Sequence, residues 1–306
     1  MAAMVETPVL YITFARPEYA SLSFAAIKMA KPKKLYFYSN KARCERPDEV
    51  ARNEEVRSYL QQIDWDCDVK TWFREEYVDV FTSLRGAIDW LFKNEDKGIV
   101  IEEDVVASLA FFDYIDKTID TCARRDDIWL ISGNNAQPQY FPKGYSCCLS
   151  RWADIYGWAS WRDKWNSVDW NMKQWPKYKG SKEQKSYWGY WPMYYFMNKF
   201  YTKFYHRITT SDYKPWDSIF LFTMRYNKGY CLQPYTNMSK DIGIVGENHG
   251  QGTLSPFSNF GTDEEVFCIE GYPPLFSPSR EYDKKLFYKH ILKGVFERKV
   301  RKFFHF

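Results

Sequence analysis

Glu102, Glu103 and Asp104 are three consecutive carboxylates that directly follow the apolar run GIVI at 98–101. Three adjacent negative charges repel one another, and holding them at the end of a buried strand is unfavourable unless a cation or several backbone N–H groups neutralise them. A divalent oxygen-seeking ion, Mg²⁺ or Mn²⁺, together with a diphosphate is the chemistry that suits them. The same spacing also reads as a solvated turn that starts the next helix at its positive end. Asp217, in PWDSIF, stands where a helix begins, so it is either a cap or a general base. Of four histidines only His249, in GENHG, sits in a glycine-rich stretch able to close over a ligand. The segment YGWASWRDKW carries Trp158, Trp161 and Trp165. On a helix that three-then-four spacing gives one stripe, either core or a stacking surface for a flat ligand, with Arg162 and Asp163 as polar handles. The turn SGNN at 132–135 fits backbone geometry as readily as binding.

What must position these groups is legible as alternating strands and helices. Buried-strand runs are expected at 9–14, 34–38, 68–73, 98–101 and 128–131, and helices at 21–30, 47–63, 78–92 and 109–122, the last capped by Ser108. Strands joined by helical crossovers make an open, mostly parallel α/β sheet, which binds ligands beyond the carboxyl ends of its strands. From 151 to 205 the composition changes: about a third of the residues are Trp, Tyr or Phe, including eight of the 13 tryptophans. Further helices are expected within 191–205 and at 215–226, with a strand at 230–232, and 246–281 reads as loop.

The chain has 306 residues with 45% hydrophobic and 27% charged residues, enough for a sizeable core without staples. Aromatic content of 20% exceeds what a core needs and implies rings on a ligand-facing surface. A net charge of +4 excludes the strongly basic field of a nucleic-acid binder. Seven cysteines without C-x-x-C spacing suggest reduced thiols and a cytoplasmic location. No run reads as a signal peptide or transmembrane helix. G-x-S-x-G, Walker and H-E-x-x-H motifs are absent, and so is G-x-G-x-x-G, which weakens a Rossmann dehydrogenase reading.

Taken in order, FARPEY after the first strand, AIDWLF, GIVIEEDVV, IWLISGNN, YGWASWRDKW, PWDSIF and NMSKDIGIVGENHG resemble the GT-A glycosyltransferases. Within these the chain is most similar to the nucleotide-diphospho-sugar transferases known as hemolytic-protein-like, and distantly to the animal N-acetylglucosaminyltransferase that starts complex glycans. The resemblance spans residues 7–250 and implies a GT-A fold, a nucleotide-sugar donor such as a UDP-sugar, a Mn²⁺ or Mg²⁺ ion and an inverting transfer to a glycan or glycoconjugate hydroxyl. It assigns the metal to Asp104 and His249. The donor falls to Arg16, Ser39, Asn40, Glu102 and Glu103, and the base to Asp217. Where the family has Asp in mid-triplet this chain has Glu103, and Phe81 and Thr82 replace a basic pair, with Arg85 as a substitute. Trp158, Trp161 and Arg162 would then line the acceptor. The expected organisation is one domain over 1–280, with a nucleotide-sugar half at 1–135 and an acceptor half at 136–280. The rival reading is a non-catalytic carbohydrate-binding protein on the same scaffold.

Residues 284–302 carry eight Lys or Arg against Glu297 alone. Phe287, Ile291, Val295 and Phe303 recur at helical spacing, so 284–304 is expected as a basic amphipathic helix. It would either close the domain or touch an anionic membrane surface.

Overall fold

Val9, Tyr11, Leu35, Phe37, Ile99 and Ile101 bury into one hydrophobic core, while their neighbours Leu10, Ile12, Tyr36, Tyr38 and Val100 bury into another. Alternation along a strand sends successive side chains to opposite faces, so continuous apolar runs are what a sheet covered on both sides requires. The computed structural model describes residues 4–140, 145–212, 214–243 and 278–292.

Strands β1 (Val9–Thr13), β2 (Lys34–Ser39), β3 (Asp68–Phe73) and β4 (Lys97–Glu102) alternate with helices α1 (Pro17–Ala30), α2 (Pro47–Ser58) and α3 (Val80–Asn94). After β4 come β5 (Val105–Ala107), α4 (Leu109–Cys122), β6 (Ile128–Ser132), β7 (Cys147–Ser150) and β8 (Trp158–Trp161). The aromatic half contributes α5 (Arg162–Asn166), α6 (Trp175–Tyr178), α7 (Lys182–Trp188), α8 (Trp191–Thr210) and α9 (Trp216–Tyr226). β9 (Tyr230–Pro234), β10 (Ser239–Asp241) and α10 (Arg280–Leu286) complete the described elements.

The main sheet runs β3-β2-β1-β4-β8-β6-β9-β7. β8 is antiparallel to β4 and β6, and β7 to β9, while the other six strands run the same way. The α/β class, the open mostly parallel sheet flanked by helices and an aromatic-rich region are as expected from the sequence. The carboxyl ends of β1, β2, β4 and β6 therefore share one edge, and β10 pairs with β5 just beyond it.

Two helix starts are as the sequence implies: α1 begins at Pro17, whose fixed φ suits a first turn, and Ser108 caps α4 through a 3.3 Å bond from the Phe111 N–H. Other boundaries shift. Residues 158–161 form a strand rather than part of a helical stripe, with Trp158 opposite both Val100 and Ser132. The final helix begins at Arg280, capped by Ser279, and continues as a π-helix over Phe287–Leu292. Its inner residues Leu286 and Phe287 are buried, Phe287 stacks on Trp152 at 6.1 Å, and Asp283 forms a buried 2.8 Å ion pair with Arg151. That much of the expected tail helix closes the domain; the remainder of 284–304 lies outside the described residues. Among the described residues no helix is long and apolar enough to cross a membrane.

The aromatic surplus has a plain location. Trp129, Trp152, Trp158, Trp165, Trp175, Trp188 and Trp216 all belong to the core between the sheet and α3 and α5–α9. For these seven rings the expectation of a ligand-facing surface is corrected: they fill a packed layer instead.

Candidate functional site

β4 ends its buried run at Glu102 and β5 begins at Val105, so Glu103 and Asp104 occupy the turn between them. Arg16, at the end of the loop after β1, reaches both. Its Nε lies 2.6 Å from Glu103 Oε1 and its Nη1 3.0 Å from Asp104 Oδ2. The Phe14 N–H donates to the other Glu103 oxygen at 2.7 Å, and the Ser23 hydroxyl donates to the Glu103 carbonyl at 2.8 Å. Burial raises the Glu103 carboxyl, with Arg16 and the Phe14 N–H opposing it. Burial works against the charge on Arg16, but Asp104 and Glu103 more than offset it and raise the guanidinium. Glu103 therefore ties the loop after β1 to the end of β4, and its carboxylate is committed to that tie rather than free to hold a ribose.

Asp104 is covered from β10. The Ile242 N–H donates to its carbonyl at 2.8 Å, and a Cβ on Gly243 would stand 2.5 Å from Asp104 Oδ2. Only glycine lets the backbone pass there. Asp241, two residues earlier, is buried and accepts from the Gly243 N–H at 3.0 Å.

Asp217 is brought to the same place by packing. Trp158 on β8 faces Val100, two residues before Glu102, and the Trp216 ring stacks on Trp158 at 5.8 Å. Asp217 is the next residue, in the first turn of α9. Burial raises its carboxyl, against hydrogen bonds from Ser218. Glu102 is pushed up to about 8, first by burial, then by Asp104, and further by Asp217 and Asp241. Tyr156 is raised by burial and then by Asp154, Asp241, Glu102 and Asp217, so its phenol shares this field. Asp154 is pushed up to about 7 by burial, with Arg225 opposing. The structure thus assembles Arg16, Glu102, Glu103, Asp104 and Asp217 from the sequence-based set, and adds Tyr156, Asp154 and Asp241. The last three lie within or beside segments already singled out, but nothing in their spacing shows which way they face.

Other expected residues are placed differently. Ser39 and Asn40 do end β2 at the right edge, yet both are buried in the loop's own scaffold. Asn40 donates to Val78 O at 2.8 Å, Arg57 donates to Ser39 Oγ and Asn40 O at 3.0 Å each, and Asn53 donates to Asn40 O at 3.0 Å. Arg85 sits mid-way along α3, paired with Asp89 at 3.4 Å and 4.6 Å over the Trp170 ring. Trp158 and Trp161 are 0% and 5% exposed, one in each core, so neither ring can stack on an acceptor. Arg162 is at the opposite edge of the sheet: its N–H bonds Asp96 O, at the start of β4, and its guanidinium pairs with Asp96 at 2.7 Å. The antiparallel course of β8 explains this, since it enters at the carboxyl edge with Trp158 and leaves at the amino edge with Trp161. SGNN proves to be scaffold: Asn134 donates to Ser239 Oγ at 2.9 Å and Asn135 to Pro234 O at 2.8 Å. His249 lies outside the described residues.

Among the described residues no three His, Cys, Asp or Glu side chains converge as a cation cage. The donor set still fits the mode in which Mg²⁺ or Mn²⁺ takes one or two carboxylates, with substrate phosphates and water supplying the rest. Asp104 is buried and paired with Arg16 at 3.0 Å, so a cation there would have to compete with that guanidinium.

No protein-family model and no curated protein matches the chain. Among solved structures it is similar to HddC from Yersinia pseudotuberculosis, at 12% identity and TM-score 0.33, over 53% of this chain and 80% of that one. It is also similar to the inositol-1-phosphate CTP transferase from T. maritima, at 6% identity and TM-score 0.30, over 54% and 74% respectively. For the glycosyltransferase GlyE of Streptococcus pneumoniae the figures are 13% and 0.29, over 53% of this chain but only 36% of GlyE. Likeness this distant assigns nothing to the chain, whose fold stands on its strand order and whose site stands on its own geometry.

Proposed function

We propose that the protein is an inverting glycosyltransferase that moves a sugar from a nucleotide-diphospho-sugar to a hydroxyl of a glycan or glycoconjugate. The observation that carries this reading is the meeting of Glu102 and Asp104 at the end of β4 with Asp217 on α9, reached through the Trp158–Trp216 stack. Two carboxylate groups in one electrostatic field, one beside a fixed arginine and one at a helix start, suit a leaving group on one side and a base on the other. Held by Asp104 and the donor's own phosphates, a divalent cation would supply charge to the departing diphosphate.

The chain's residues do the rest. Asp217 takes the proton from the acceptor hydroxyl as that oxygen bonds to the anomeric carbon and the bond to the diphosphate oxygen breaks. Its carboxyl, raised by burial, is the better proton acceptor for it. Arg16 holds the loop after β1 against the site, and Glu102 keeps its proton near neutral pH in the ligand-free protein. Of the aromatic residues, Tyr156, whose phenol is raised by burial and Asp154 and also by Asp241, Glu102 and Asp217, is the one we assign to the acceptor side in place of Trp158 and Trp161.

The test is a thermal-shift screen of UDP-, GDP- and CMP-sugars with and without Mn²⁺, followed by product analysis with the donor that raises the melting point. A cation-dependent shift for one nucleotide class is expected. Absence of any shift with all three classes, in either condition, defeats the reading.

A further inference from the structure

Helix α8 carries two stripes. Met193, Met197, Tyr201, Phe204 and Ile208 are buried and fix the helix to the core. On the far side Trp191, Tyr195, Lys199, Lys203 and Arg207 recur at every fourth residue, and all five are exposed. Trp191 is 67% and Tyr195 53% exposed, with their rings stacked at 5.2 Å. Packing needs only the inner stripe, so the outer aromatics have no role in holding the helix. Each four-residue step turns about 40° past a full circle, so over sixteen residues, about 24 Å, the row winds across the outward half of α8 from Trp191 to Arg207.

The charge is one-sided as well. The segment WPMYYFMNKFYTKFYHRITT holds no Asp or Glu. Next to it, the Tyr190 and Tyr288 hydroxyls meet, Lys284 lies 4.5 Å over the Tyr190 ring, and Lys289 is exposed. We propose that the outer face of α8, extended by Tyr288 and Lys289, docks the protein on an anionic phospholipid bilayer. A convex helix face matches an extended surface better than it does a small ligand, which binds in concave sites. Trp and Tyr settle at the boundary between headgroups and acyl chains, and Lys and Arg are drawn to anionic headgroups. The contact is peripheral, because three cations on the outer stripe of α8 bar it from spanning. This surface is separate from the carboxylate site and does not rest on the function proposed for it.

The test uses the full-length chain in vesicle co-sedimentation, with phosphatidylcholine alone or with about a third phosphatidylserine. Binding is expected only to the anionic vesicles and is expected to weaken at high salt. Trp191→Ser with Tyr195→Ser, and separately Lys199→Glu with Lys203→Glu, alter exposed side chains only, and unchanged circular dichroism confirms the fold. The charge pair is expected to weaken binding at least about 25-fold, at roughly fivefold per cation removed. A third variant, Arg298→Glu with Arg301→Glu, separates the distal tail from α8. The proposal fails if wild type ignores anionic vesicles, or if both α8 variants bind as wild type does while the tail variant does not. It fails equally if the face captures soluble acidic oligosaccharide or RNA and leaves the vesicles unbound.

Discussion

Replacing Glu102 by Gln removes the carboxyl whose proton the site holds well above the ordinary range. Burial lifts it from 4.5 to about 8, with Asp104, Asp217 and Asp241 adding to the lift. A group that binds its proton more tightly when folded stabilises the protein fully below about 4.5, and that stability drains away as the pH climbs through about 8. Each pH unit between the two values is worth about 1.4 kcal/mol, so the ceiling is about 5 kcal/mol. Neighbouring carboxyls share the relief when any one of them protonates, which brings the part owed to Glu102 to about 2 kcal/mol. Gln cannot ionise and so imitates the protonated state at every pH. Urea denaturation of the ligand-free protein at pH 5 and pH 9 reads the effect. Glu102→Gln should match wild type at pH 5 and exceed it by about 2 kcal/mol at pH 9. Asp154, raised to about 7, and the raised Asp217, Glu103 and Asp283 give both proteins a slope of the same sign, so the difference between them isolates Glu102. A difference that stays constant between pH 5 and 9, or that favours wild type at high pH, refutes the reasoning.

Asp217→Asn is expected to keep donor binding and lose transfer by about two to four orders of magnitude, measured by product formation at saturating donor; unchanged turnover returns Asp217 to a capping role. Asp104→Ala should fold normally yet lose any Mn²⁺-dependent stabilisation by nucleotide sugar, read by thermal shift. Arg16→Met leaves Glu103 buried with only the Phe14 N–H against its charge and should cost about 2–3 kcal/mol at pH 7, shrinking towards pH 4 as Glu103 protonates. Trp158→Ala should cost about 3–5 kcal/mol in urea denaturation as a core truncation, where an acceptor-lining ring would instead leave stability intact and raise KM.

The sequence told most about the parts whose physics is local. Strands β1, β2, β4 and β6 are apolar on both faces, so their runs stand out without tertiary information, and Ser108 marks its helix by its own cap. The acidic triplet was visible because carboxylates at the end of such a run are electrostatically anomalous wherever the fold places them. Strand β8 was misread for a related reason. A central strand covered on both sides shows no polar alternation, so Trp158 and Trp161, which go to opposite cores, imitate the spacing of a helical stripe. Composition also cannot distinguish a buried ring from an exposed one: Trp158 and Trp191 have similarly aromatic neighbours, and only the register of β8 and the inner stripe of α8 separate them.

That distinction changes what the aromatic half is for. Glu102 ends a strand and Asp217 begins a helix, and the chain between them passes through β5–β8 and α4–α8. No hydrogen bond ties the two carboxyls, and burial raises both, so bringing them together costs free energy that other contacts offset. What keeps α9 against the sheet is a run of ring contacts, Trp158 with Trp216 at 5.8 Å, Trp158 with Phe220 at 5.5 Å and Trp165 with Phe220 at 5.6 Å. Buried rings contribute large apolar areas without adding charge, so they can offset that cost without neutralising either carboxyl. On this argument Trp158, Trp165 and Trp216 serve the candidate site by position, holding α9 and with it Asp217 against the sheet.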